Sequence, residues 1–160
     1  MSETTKQPEG PTRRDMIKLA GTLALGGAGG LTLTRQAESA TMQSAIAQLT
    51  GEVRLTPGRV KLDIPPLVEN GNTVPCTVSV ESPMTQGDYV KAIHVVSEKN
   101  PQPNVISVHL GPRAGRASIS SRIRLADTQT VVAIAEMSDG SFWSDRVNVI
   151  ITLGACLEDS

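Results

Sequence analysis

Apolar and polar residues alternate along most of the chain beyond residue 60. Val74, Cys76, Val78 and Val80 fall on one side of an extended segment, and Pro75, Thr77, Ser79 and Glu81 on the other. Ile106, Val108 and Leu110 repeat the pattern. Ala117, Ile119, Ser121, Ile123 and Leu125 oppose Arg116, Ser118, Ser120, Arg122 and Arg124. In the last run Val147, Val149, Ile151 and Leu153 share a side. Further strands are predicted at Val60 to Ile64, Val90 to Glu98 and Thr130 to Met137. Turn chemistry separates these runs at Asn70-Gly71, Asn100-Pro101, Gly111-Pro112 and Asp139-Gly140. Short strands at this spacing predict an all-β chain, an immunoglobulin-like β-sandwich of about seven strands. A short helix from Met42 to Leu49, ended by Gly51, is predicted to lead into it.

The first forty residues follow a different logic. Thr12-Arg13-Arg14-Asp15-Met16-Ile17-Lys18 is a twin-arginine motif, and a moderately apolar, Gly-rich stretch runs from Leu19 to Leu33. This is the form of a bacterial export signal that carries folded proteins to the periplasm. As a bilayer span, Met16 to Leu33 is barely long enough and is diluted by Lys18 and five glycines. A phosphate loop would need a preceding strand and a following Gly-Lys-Ser/Thr, and neither is present. Cleavage after Ala40 fits the pattern of small residues, as does the Ala45-Ile46-Ala47 stretch. The expected organisation is a signal peptide at 1–40, a β domain at 41–153 and a C-terminal arm at 154–160.

Composition narrows the function. From Thr41 onward there are ten Lys/Arg against twelve Asp/Glu. So mild a negative balance gives no general attraction to nucleic acid, or to a membrane once the signal is gone. One Phe, one Trp and one Tyr supply too few aromatic faces for stacking bases or sugars. Arg116, Arg122 and Arg124, with Arg113 in the turn before them, make either a solvated face or a partner contact. No cofactor and no metal site is expected, because His94 and His109 lie on separate strands without a partner at ligand spacing. No Gly-x-Ser-x-Gly elbow marks a nucleophilic serine.

The cysteines differ in setting. Cys76 shares its strand face with three valines and is expected in the core, where a thiol behaves as a small hydrophobe. Cys156 lies beyond the last apolar alternation, after Gly154 and Ala155, which are expected to act as a hinge. A thiol on such a terminus can reach into another protein. A Cys76–Cys156 disulfide is the alternative that an oxidising compartment allows.

Several segments together resemble SoxY, the sulfur-carrier subunit of bacterial thiosulfate oxidation. They are Val60-Lys61-Leu62-Asp63-Ile64-Pro65, Glu69-Asn70-Gly71, Glu98-Lys99-Asn100-Pro101, Ser121-Arg122-Ile123-Arg124-Leu125-Ala126 and Val132-Ala133-Ile134-Ala135-Glu136. The resemblance covers nearly the whole chain after the signal. It implies an immunoglobulin-like subunit paired with SoxZ, a second small β protein. It also implies that Cys156 is the covalent attachment residue for sulfur intermediates, and that separate sulfur-oxidising enzymes load and process the adduct. The carrier itself is then not an enzyme. The arm departs from the family's Gly-Gly-Cys-Gly-Gly ending: here Gly154-Ala155-Cys156-Leu157 is followed by Glu158, Asp159 and Ser160. The added side chains restrict the backbone, and the carboxylates favour the protonated thiol. Ile150 and Val132 are the candidates for a surface that meets the second subunit.

Three functions are compatible with the residues themselves. A covalent carrier needs a free, modifiable Cys156. An exported docking module that no longer carries thiosulfate-derived sulfur would be indifferent to its loss. A thiol enzyme needs a base beside Cys156, and none stands near it in sequence.

Overall fold

A computed structural model describes residues 41–155 apart from Glu52. The expected export signal at 1–40, and Cys156 with the four residues after it, lie outside the described residues. Helix α1 covers 41–50 and ends at Gly51, whose φ of 58° and N–H bond to the Ala47 carbonyl close the last turn. Nine strands follow: β1 Leu55–Pro57, β2 Val60–Asp63, β3 Leu67–Asn70, β4 Val74–Val80, β5 Val90–Ser97, β6 Asn104–His109, β7 Ser118–Ile123, β8 Gln129–Met137 and β9 Phe142–Leu153. They form two sheets. The larger runs β1-β9-β8-β5-β6, with β3 also paired to β9; the smaller runs β2-β4-β7. This is the immunoglobulin-like sandwich anticipated from the alternation.

The core lies between the sheets. Val74, Cys76 and Val78 of β4 face Val90, Ile93 and Val95 of β5 and Val131, Ala133 and Ala135 of β8 across one continuous cluster. Because β5 and β8 are central strands, their other faces need cover as well. Helix α1 supplies it: Met42 and Ile46 pack on Val96, Val132, Ile134 and Phe142. Val132 is thus buried beneath the helix and forms no partner surface, which corrects the expectation for that residue. Ile150 is half exposed, at 50 %, and its register partner Leu67 on β3 is 60 % exposed.

Two features exceed the seven predicted strands. The short β1 and β3 both pair with β9 in parallel; at three and four residues, neither is long enough to show a period. The last strand also begins five residues earlier than its apolar run, because Ser144, Asp145 and Arg146 interrupt the alternation without interrupting the pairing to β8.

Cys76 is where the alternation places it, 2 % exposed among core residues, and its thiol is free. Burial, with a smaller contribution from the charge of Asp63, pushes that thiol up to about 11.

Candidate functional site at the root of the C-terminal segment

The chain leaves the sandwich where three backbone segments meet. The Gly71 N–H donates to the Leu153 carbonyl at 2.8 Å, the Leu125 N–H to the Gly71 carbonyl at 2.9 Å, and the Ala155 N–H to the Leu125 carbonyl at 3.1 Å. The three bonds tie the turn after β3, the segment after β7 and the end of β9 to one another. Such an arrangement requires backbones closer than side chains permit. A Cβ on Gly154 would stand 2.2 Å from the Ala126 carbonyl oxygen. One on Gly71 would stand 2.3 Å from the Leu125 oxygen and 2.9 Å from the Ala155 nitrogen. Both positions demand glycine for close approach, and neither has a positive φ.

Gly154 and Ala155, the expected hinge, both contact the segment after β7 in this structure. Gly154 is the glycine that packing against Ala126 requires, and Ala155 is hydrogen-bonded. Among the described residues the bonded backbone of the domain runs through Ala155, the residue that precedes Cys156 in sequence.

A polar scaffold fixes the wall that receives this segment. Asn100 Nδ2 donates to the Arg124 carbonyl at 2.8 Å, and Asn100 Oδ1 accepts from the Ala126 N–H at 3.0 Å and from Gln129 Nε2 at 3.1 Å. Gln129, 2 % exposed, uses its Oε1 to accept the Lys99 N–H at 2.8 Å. Thr128 Oγ1 accepts the Ile151 N–H at 3.0 Å, and Lys99 Nζ pairs with Asp127 at 2.9 Å. That pairing, with the Thr128 N–H, holds the Asp127 carboxyl below the usual carboxylate range.

Sequence reasoning treats Asn100 only as a turn residue and does not single out Gln129. A signal is available for Gln129: it falls on the inward side of the run Val131, Ala133, Ala135, Met137, where an amide needs partners.

Other candidate chemistry stays dispersed. His94 and His109 meet edge to face with ring centroids 6.2 Å apart, and His94 Nδ1 lies 2.8 Å from Ser107 Oγ. Among the described residues no group of three or more His, Cys, Asp or Glu could hold a metal ion. Among them, too, no helix is long and apolar enough to cross a membrane. Arg113, Arg116, Arg122 and Arg124 are all exposed.

Fold and site together describe a two-sheet β-sandwich that clamps its own C-terminal segment one residue short of a cysteine. The family model for the sulfur oxidation protein SoxY matches residues 46–156, and the chain belongs to that family. Among solved structures, the sulfur carrier protein SoxY from Chlorobium limicola f thiosulfatophilum is similar at 25 % identity with a TM-score of 0.60, over 71 % of this chain and 98 % of that one. A variant of the superoxide reductase (neelaredoxin) from Ignicoccus hospitalis is similar at 17 % identity and a TM-score of 0.53, over 64 % of this chain and 85 % of that one. A putative superoxide reductase from Thermotoga maritima gives 15 % and 0.52, over 61 % and 93 %. The two reductases share the fold alone. No curated protein matches the chain in sequence.

Proposed function

We propose that this chain is a sulfur carrier of the periplasmic thiosulfate-oxidising system, exported by the twin-arginine route, with Cys156 as the covalent attachment residue. The observation that carries the reading is the family match, which runs through the β domain and the clamp to end on Cys156. Its similarity to a SoxY sulfur carrier over nearly the whole of that protein supports it.

In this reading the domain does no bond-making of its own. Loading joins the Cys156 sulfur to the outer sulfur of thiosulfate; the thiol proton is lost and two electrons pass to the redox enzyme that catalyses the step. Hydrolysis of the terminal sulfonate by a second enzyme releases sulfate and leaves sulfur on the cysteine. The carrier contributes a nucleophilic thiolate, a fixed root for it, and a surface on which the enzymes settle. A SoxZ-like small β subunit completes the unit, and the exposed Leu67–Ile150 pair on β3 and β9 is the apolar surface offered to it.

The test is intact mass of the exported protein, native and Cys156→Ser, after exposure to its own cell extract and thiosulfate. A sulfur-containing increment that reductant releases and the variant lacks is the expected result. A thiol unmodified throughout would overturn the carrier reading in favour of a docking paralogue that has left thiosulfate chemistry.

A further inference from the structure

The two edges of the smaller sheet differ. The Val80 N–H, at the end of β4, donates at 2.9 Å to the carbonyl of Ala117, just ahead of β7. Ala117 therefore turns its backbone groups toward β4, and Ile119, Ser121 and Ile123 follow by alternation. Ser118, Ser120 and Arg122 turn theirs the other way, where β7 has no neighbouring strand. On the opposite edge, β2 is capped by the body of the molecule. Its Leu62 N–H, which faces away from β4, is taken by Asp145 Oδ2 at 2.9 Å, and its Val60 N–H by the Gly58 carbonyl at 2.6 Å. Among the described residues nothing caps the outward N–H and C=O groups of Ser118, Ser120 and Arg122. The open stretch ends only past Arg122, where the Arg124 carbonyl accepts Asn100 Nδ2 at 2.8 Å. Exposure agrees with a bare edge: Ser120, Ser121 and Arg122 are all exposed, although Ser121 shares a face with Ile119 and the buried Ile123.

The charge along this edge has one sign. From Gly111 to Ala126 the sequence holds Arg113, Arg116, Arg122 and Arg124 and no Asp or Glu. The side-chain ion pairs among the described residues are Lys91–Glu136 and Lys99–Asp127, so none of these arginines is neutralised there. Arg122 has only a hydroxyl near it, with Thr73 Oγ1 at 3.4 Å from Nη1. Arg116, Arg122 and Arg124 share the parity of Ser118 and Ser120, and so the same side of the extended chain.

We propose that the β7 edge is a docking site for an extended segment of another protein, which adds to the smaller sheet as a strand and carries acidic residues opposite Arg122 and Arg124. Main-chain hydrogen bonds supply the binding, and carboxylates at alternate positions select the partner. A second copy of this chain does not fit. Two β7 strands opposed antiparallel about Ser120 pair all the free residues but set Arg124 against Arg116, and neither copy brings a carboxylate to the seam. The charges that keep copies apart are the ones that admit an acidic strand. This edge belongs to the other sheet from the Leu67–Ile150 pair, and the proposal does not depend on the carrier reading. Because β7 runs on into the Leu125 carbonyl that Ala155 bonds, a strand seated here lies beside the root of the C-terminal segment.

The probe is a synthetic peptide, Glu-Val-Glu-Val-Thr-Val-Thr-Val-Glu, whose acids fall opposite Arg124, Arg122 and Arg116 when it runs antiparallel to β7. Binding to the reduced full-length protein is followed by 15N chemical shifts and amide exchange. Saturable binding is expected, with exchange slowed at Ser118, Ser120 and Arg122, whose N–H groups gain partners. The same peptide N-methylated at its third, fifth and seventh residues should not bind, since those amides face β7. Arg122→Glu/Arg124→Glu should weaken the acidic peptide by about tenfold or more and take up a version with Lys in place of Glu. Failure of the acidic peptide to bind saturably up to about 1 mM would overturn the proposal. So would binding that leaves those amides exchanging as before, or that survives N-methylation or charge reversal unchanged. Slow exchange at the same amides in the peptide-free protein, lost on dilution, would assign the edge to a second copy and overturn it as well. None of these outcomes depends on sulfur loading, so failure here and failure of the carrier reading are separate results.

Discussion

Gly71 and Gly154 belong to different ends of the sandwich in sequence, yet a Cβ on Gly71 would lie 3.3 Å from the Gly154 carbonyl carbon. Their contact is what fixes the root of the C-terminal segment. It also gives a reason for Gly154 to be glycine where the rest of the family's glycine-rich ending is replaced.

That reason has a sign. If Gly154 were a free hinge, Gly154→Ala would be neutral or stabilising by roughly 0.4–1 kcal/mol through the unfolded chain. With the Ala126 oxygen 2.2 Å from the new Cβ, we expect the substitution to destabilise by about 1–3 kcal/mol. Urea denaturation reads the stability, and amide exchange at Ala155 reads the loosening of its bond to Leu125.

Asn100→Ala tests the scaffold behind the clamp. It strips partners from the Arg124 carbonyl, the Ala126 N–H and the buried Gln129 amide at once. A loss of roughly 1–3 kcal/mol is expected, since unsatisfied groups cost more than an average hydrogen bond. Asn100→Asp keeps the acceptor but not the donor and should recover part of the loss in the same urea titration.

The thiol of Cys76 predicts an alkaline effect. Its pKa rises from an ordinary 9.0 to about 11 on folding, so the native state holds a proton that the unfolded chain releases. The stabilisation is fully present below pH 9 and is lost as pH rises through 11, by at most roughly 3 kcal/mol. Cys76→Val should flatten that part of the stability curve. In the native protein at about pH 8, below the ordinary thiol value, alkylation followed by peptide mapping should find Cys76 unlabelled.

His94 acts at the other side of neutrality. Burial, and then the charge of His109, lowers its pKa from 6.5, so the unfolded chain takes up a proton that the folded chain refuses. Stability should fall as pH drops through 6.5 and level off below the folded value. Thermal melts between about pH 7.5 and about pH 5, in the native protein and in His94→Gln, which retains a partner for Ser107, would show the slope shrink.

The departures in the tail have a functional counterpart. Grafting Gly-Gly-Cys-Gly-Gly onto the end, with the cysteine kept at 156, should leave turnover by the enzymes native to this organism no better. A large gain would show that those enzymes are built for the glycine ending and that this chain's tail hinders them.

Periodicity makes most of the sandwich legible. Val74 to Val80 and Val131 to Met137 announce both their strand character and their inward faces, and Cys76 follows from the company it keeps. What stays hidden depends on neighbours distant in the chain. β1 and β3 become strands because β9 offers an edge. Val132 reads as a surface residue because the helix that covers it begins far upstream, at Met42 and its neighbours. Gly154 carries a meaning the sequence does not spell: glycine marks freedom or crowding, and the Ala126 carbonyl beside it supplies the crowding. Asn100 shows the same limit, since a turn-forming asparagine and one that braces separate backbone segments are spelled alike.

Because Ala155 is bonded to Leu125, the sulfur of Cys156 can stand only about 7 Å from the Ala155 Cα, whatever course the last residues take. A swinging tether could search a wide volume; here the root is held at Ala155. On the carrier reading proposed above, an enzyme that serves Cys156 must bring its reacting atoms almost to the surface of the sandwich, so the rim of its entrance closes against the β3 turn and the end of β7. The sandwich then sets the depth of insertion and shuts out bulk water behind the thiol, and a rim too narrow for that shoulder would exclude the carrier however well it accepted the cysteine.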